Sequence, residues 1–214
     1  MKRRKTKGKK AGRVYGKNGV FYSFSGDDPG QIQIKIDFKA VAPPDAYYYA
    51  DSLYVRMDEE QHMAILSFGH RNENEDKFSN RIDVAMPAKS LMGLFWASSR
   101  PVEATLDKLL ETYGPIQEIR PVSPPESEAA TLFANMIFLA VGDGESTLDF
   151  YHLSPRELHL AKTERKDMEL EPTIRVIMSS VLTKHFFNSL RPHAGVAADP
   201  ARSPERSQRA ARTR

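Results

Sequence analysis

The chain has 214 residues, no cysteine, and 31 Lys/Arg against 28 Asp/Glu, for a formal net charge of +3. That length suits one mid-sized domain or two small ones. The lack of cysteine excludes structural disulfides and thiolate nucleophiles or metal ligands, which fits a reducing, cytoplasmic setting.

The charge is unevenly spread. Residues 1–19 carry nine Lys/Arg and no acid, and residues 191–214 carry six Arg and two acids, which leaves 16 basic and 26 acidic residues between them. An acidic core is therefore expected between two basic ends. No apolar stretch follows the N-terminal basic run, so no secretory signal is expected. The longest apolar runs are also too short to span a bilayer.

Residues 1–30 read as a basic arm, mostly disordered, because its first part has almost no apolar residue to offset the entropy of ordering. Arg3, Arg4, Lys5, Lys7, Lys9, Lys10 and Arg13 are candidates for neutralising nucleic-acid phosphates with strong salt dependence. The plainer alternative is a solvated tail, or one that folds onto the acidic core. Val14 to Phe24 has enough apolar residues among glycines for a small hairpin or a loop.

Ile32, Ile34, Ile36 and Phe38 alternate with polar residues, the signature of a half-buried strand. Tyr47 to Met57 predicts a second strand, Met63 to His70 a third, and Ile82, Val84 and Met86 one face of a fourth. Pro87 suits the first position of a helix. Leu91, Leu94 and Phe95 share a helical face, and Pro101 is expected to interrupt or restart the helix. Leu106, Leu109, Leu110 and Tyr113 form an amphipathic stripe, and Gly114-Pro115 ends it.

The pattern then recurs. Tyr49-Ala50-Asp51-x-Leu53-x-Val55 matches Phe133-Ala134-Asn135-x-Ile137-x-Leu139. Leu66-x-Phe68-x-His70 matches Leu148-x-Phe150-x-His152, and Ile82-x-Val84-x-Met86 matches Ile174-x-Val176-x-Met178. Leu94-Phe95 and Phe186-Phe187 follow in turn. Between the first two motifs the second copy is shorter by two residues, with Gly142-Asp143-Gly144 as a tight turn that favours positive φ. An even-numbered change keeps the buried face buried. Between the second and third motifs it is longer by ten residues, and this charged insertion, Leu153 to Pro172, is expected on the surface.

The fold expected is α+β: two repeated antiparallel β-β-β-β-α units, residues 31–114 and 115–191, packed as a pseudo-twofold dimer. The first strand of the second unit would be Ile116 to Val122. Residues 192–214 form a second disordered tail rich in Arg, Ala, Pro and Ser.

Phe133-Ala134-Asn135, Leu148-Asp149-Phe150 and Arg175-Val176-Ile177-Met178-Ser179 resemble a short bacterial and archaeal domain of unknown function. Its members carry Tyr-Ala-Asn-like, Leu-Asp-Phe-like and Arg-x-x-Met-Ser-like motifs. The resemblance covers about residues 31–112 and 116–190 and implies no particular activity. The first copy departs from it, with Asp51 in place of the Asn and Ser67 in place of the Asp. The layout of four antiparallel strands followed by a helix is also similar to the SecB export chaperone, which would imply binding of extended polypeptide along grooves or sheet edges.

Asp51 and Asn135 are candidate polar ligand residues, or residues that satisfy the backbone at a bend. His70 and His152 end equivalent strands, as paired metal or acid–base groups or as simple polar strand ends. Zinc needs three or four ligands, and no further ligand stands at suitable spacing. His159 and His185 read as surface residues. Asp149, alternating with Leu148 and Phe150, is expected to face solvent.

No phosphate loop, nucleophile elbow or metalloprotease helix occurs, so no catalytic, cofactor or metal residue is assigned and the chain is not expected to be an enzyme. A protein or peptide partner is expected instead, with Tyr47, Tyr48 and Tyr54 as candidate contacts. Nucleic acid held by the tails is the second expectation, and the oligomeric state stays open.

Overall fold

The computed structural model describes residues 14–24, 32–58, 60–71, 77–113, 123, 129–142 and 144–197. Residues 1–13 and 25–30 of the expected arm 1–30, the expected strand 116–122, and residues 198–214 of the expected tail 192–214 lie outside these. The fold is α+β, and the chain divides into two compact units.

The first unit combines residues 14–43 with 153–171. Strands β1 (Val14–Lys17), β2 (Val20–Phe24) and β3 (Ile32–Ile36) form an antiparallel sheet in that order. Asn18 and Gly19 both take positive φ, +50° and +82°, the backbone a two-residue hairpin needs to follow strand twist.

The Leu153–Pro172 insertion contributes helix α2 (Pro155–Glu164) to this unit. Ser154 caps the helix by accepting from Arg156 N, Pro155 opens it, and Arg165 closes it in the left-handed region. The insertion is not merely a charged surface loop. Leu153, Ala161, Met168 and Leu170 are buried, and the buried Tyr22 of β2 donates its hydroxyl to Lys166 O at 2.8 Å. Ile32–Ile36 thus belongs to this three-stranded sheet and to neither sheet of the second unit.

The second unit spans residues 44–152 and 172 onward. Among the described residues it holds two four-stranded sheets. One runs β5 (Ser52–Asp58), β6 (Met63–Arg71), β7 (Phe78–Pro87), β8 (Thr131–Phe133). The other runs β9 (Met136–Val141), β10 (Glu145–His152), β11 (Glu171–Ser179), β4 (Tyr47–Ala50).

The chain expected as one strand from Tyr47 to Met57 therefore bends at Asp51 and changes sheets. Asn135 bends in the same way between β8 and β9. Each short strand joins its new sheet in parallel: Tyr48 opposite Val176 on β11, and Leu132 opposite Val84 on β7. These pairings fall on positions matched by the repeat motifs. The flanking bonds match too. Arg175 N donates to Ala46 O and Asp83 N to Ala130 O, while Ala88 N donates to His62 O and Ser180 N to Gly144 O.

The helices α1 (Ala88–Tyr113) and α3 (Ser180–Ala197) cover this core. Pro87 is the last residue of β7, one position before α1. Pro101 lies inside α1 and Pro192 inside α3 without ending either. Proline removes one backbone bond, but apolar residues on both sides of each are buried in one core: Phe95 and Val102 in α1, Leu190 and Ala194 in α3. The C-terminal helix thus runs six residues past the expected limit at 191. Phe68 meets Phe150 edge-to-face at 6.0 Å, and Phe95 meets Phe187 at 6.1 Å. The hairpin at Gly142 closes with Gly142 N donating to Glu145 O, though neither Gly142 nor Gly144 has positive φ.

Candidate interaction surface

Strands β4 and β8 end their sheets, each paired on one side only among the described residues. In a parallel ladder alternate residues of a strand direct their backbone to the neighbour. Ala46 O accepts from Arg175 N, so Tyr47 and Tyr49 turn their backbone groups away from β11. By the same alternation Thr131 and Phe133 turn theirs away from β7. Side chains alternate as well. Tyr48 and Leu132 pack against the core, while Tyr47, Tyr49 and Phe133 are 66, 54 and 65% exposed.

Of the tyrosines expected to meet a partner, Tyr47 is exposed, whereas Tyr48 and Tyr54 are half-buried. Tyr48 is used internally: its hydroxyl donates to Asn80 O, and its ring lies 5.6 Å from that of His70. Burial, and then the charge of Asp51, raise its pKa. Tyr49 and Phe133 were not singled out from sequence as contacts, although they fill the first position of the repeat motif.

Asp51 acts at the bend. Its Oδ1 accepts from Arg71 N and Ser52 Oγ at 2.8 Å each, and its Oδ2 lies 3.3 Å from His70 Nδ1. His70 thus has an acidic partner that strand spacing did not reveal. The bend itself is repeated, with Asp51 N donating to Gly69 O and Asn135 N to Tyr151 O. His152 is half-buried, and its Nδ1 has no hydrogen-bond partner among the described residues. No cluster of three His, Asp or Glu suited to a metal occurs among the described residues.

Asp149 corrects a sequence expectation. It is only 4% exposed, although it points away from Leu148 and Phe150. Arg175 Nε and Nη2 donate to its two oxygens at 2.6 and 2.7 Å. A bidentate pair of this kind satisfies both charges at once. The adjacent Tyr151 is buried, and burial together with Asp149 pushes its pKa up to about 12. His185 on α3 is half-buried, not a surface residue, and burial lowers its pKa.

The arm residues Arg3 to Arg13 lie outside the described residues. Among the described residues no helix is long and apolar enough to cross a membrane. Comparison of the chain with family models, with curated proteins and with solved structures finds no match.

Proposed function

We propose that the chain is a duplicated, non-enzymatic binding protein that holds a protein or peptide partner along the outer edges of β4 and β8. The observation that carries this reading is the exposure of Tyr47, Tyr49 and Phe133 on strands that end their sheets. Unpaired strand edges are templates for an added strand, with backbone bonds for affinity and alternate side chains for selection.

In this reading the two halves are diverged copies packed about a pseudo-twofold axis, each lending its first strand to the other's sheet. The matched registers of β4 and β8 support it. So do the Phe68–Phe150 and Phe95–Phe187 contacts, because equivalent residues meet each other only where such an axis passes.

Amide hydrogen exchange of the full chain, with and without a pool of extended decapeptides, tests the proposal. Protection is expected at Tyr47, Tyr49, Thr131 and Phe133. Unchanged exchange at all four would count against it.

A second reading, nucleic-acid association, is favoured by the nine Lys/Arg and no acid in residues 1–19. Exchanging Arg3, Arg4, Lys5, Lys7, Lys9, Lys10 and Arg13 for Gln should then abolish salt-sensitive binding of duplex DNA, measured by anisotropy, and leave peptide binding intact.

A further inference from the structure

The edges β4 and β8 share one backbone geometry but differ in chemistry. On β4 the segment reads Asp45-Ala46-Tyr47-Tyr48-Tyr49-Ala50-Asp51, and at the matched positions around β8 it reads Ala129-Ala130-Thr131-Leu132-Phe133-Ala134-Asn135. Two acids and two exposed tyrosines on one edge thus correspond to no acid and one exposed aromatic on the other. Asp45 is exposed, and the Asp51 side chain retains 58% of its accessibility beside its bend contacts.

We infer that β4 takes an extended basic segment of a partner, one that alternates Lys or Arg with apolar residues, while β8 takes an uncharged one. This rests on the reading that the edges bind peptide. The rings of Tyr47 and Tyr49 lie 5.9 Å apart at 84°, so they offer a cation two faces in different orientations. A cation within about 6 Å of a ring centroid is attracted by its quadrupole.

Asp45 lies at an exposed bend just before the strand and Asp51 at the bend that ends it, so the carboxylates flank the aromatic pair along the chain. The positive group nearest in register is Arg175, opposite Tyr47. Its charge is already matched by the bidentate contact to Asp149, so it does not oppose a second cation. At the far end His70 is paired with Asp51, and Arg71, whose backbone N donates to the same carboxylate, adds a second basic side chain there, so the preference rests chiefly on Asp45 and the two rings. The net acidity of residues 20–190, 26 acids against 16 bases, draws the same class of partner towards the surface.

The test uses the full chain and three labelled decapeptides in which Val alternates with Arg, Thr or Glu, followed by fluorescence anisotropy at physiological salt. The Arg peptide should bind more tightly than the Thr peptide by about threefold to fivefold per engaged ring, the scale of an exposed cation–π contact. The Glu peptide should bind least. Y47A/Y49A and D45N should each bring the Arg peptide towards the level of the Thr peptide. E111Q on α1 should leave the Arg peptide unchanged, and unaltered thermal unfolding verifies that each variant is folded.

Equal binding of the Arg and Thr peptides, or Arg binding that survives both β4 variants, overturns the inference. If the peptides bind alike but lose affinity in Y47A/Y49A or F133A, edge binding stands and only the charge preference falls. If no peptide binds, edge binding itself falls with it.

Discussion

Arg175 and Asp149 form a bidentate pair in which the carboxylate is almost wholly buried and the guanidinium one-third exposed. The asymmetry sets the cost of breaking it. Arg175→Met strands a buried carboxylate and should lower stability by about 3 kcal/mol, because desolvation is then uncompensated. Asp149→Asn leaves a cation that reaches water and should cost about 1–2 kcal/mol. In a double-mutant cycle by urea unfolding, Arg175→Met/Asp149→Asn should recover most of the loss, because no buried charge is then stranded. Additive losses would mean that the pair is not energetically coupled.

Tyr151 beside that pair should be the slow tyrosine in an alkaline titration. Its pKa near 12 exceeds the unfolded value of about 10. Above pH 10 the unfolded chain therefore loses a proton that the folded chain keeps, and folding stability falls as pH rises towards 12. Absorbance of phenolate should show a late component that diminishes in Tyr151→Phe, with Tyr22 and Tyr48 also raised by burial.

His185 works in the opposite pH range. Burial holds its folded pKa below the usual histidine value, so as pH falls through about 6.5 the unfolded chain binds a proton first. Stability from this residue is complete above neutrality and is lost on acidification. In His185→Gln, the decline in melting temperature between pH 7 and 5 should be shallower than in the parent. Parallel profiles would show that the imidazole stays accessible to protons.

Pro101 lies within α1 on its exposed side and forgoes one backbone bond. Pro101→Ala restores a donor and removes the ring's clash with the preceding turn. About 1 kcal/mol of added stability is expected, which for a chain of this size is a rise in melting temperature of about 2–4 °C. A fall would mean that the proline sets a bend the core requires.

Much of the second unit was legible in its sequence, because alternation and helical stripes report burial directly. Leu66 and Phe68, Leu148 and Phe150, and Val84 and Met86 all reach the core that their spacing implied. The break at Asp51 was not legible. Tyr-Tyr-Tyr-Ala-Asp-Ser-Leu-Tyr-Val contains neither glycine nor proline, and the bend is held by the distant Arg71 amide. The burial of Asp149 depends on Arg175, 26 positions on. Met168 and Leu170 sit in a charged segment too short of apolar periodicity to reveal that they are buried with the N-terminal sheet.

The pairing of β4 with β11 also governs how the chain must fold. Tyr47 on β4 pairs with Arg175 on β11, a separation of 128 positions between residues 47 and 175. Closing so long a loop precedes any gain from the contacts it makes, which slows folding. During synthesis β4 has no sheet to join until β11 has emerged, so the Tyr47–Tyr49 edge stays unpaired through most of translation. The exposed aromatic strand that ends its sheet in the finished protein is thus also a segment open to mispairing in the nascent one.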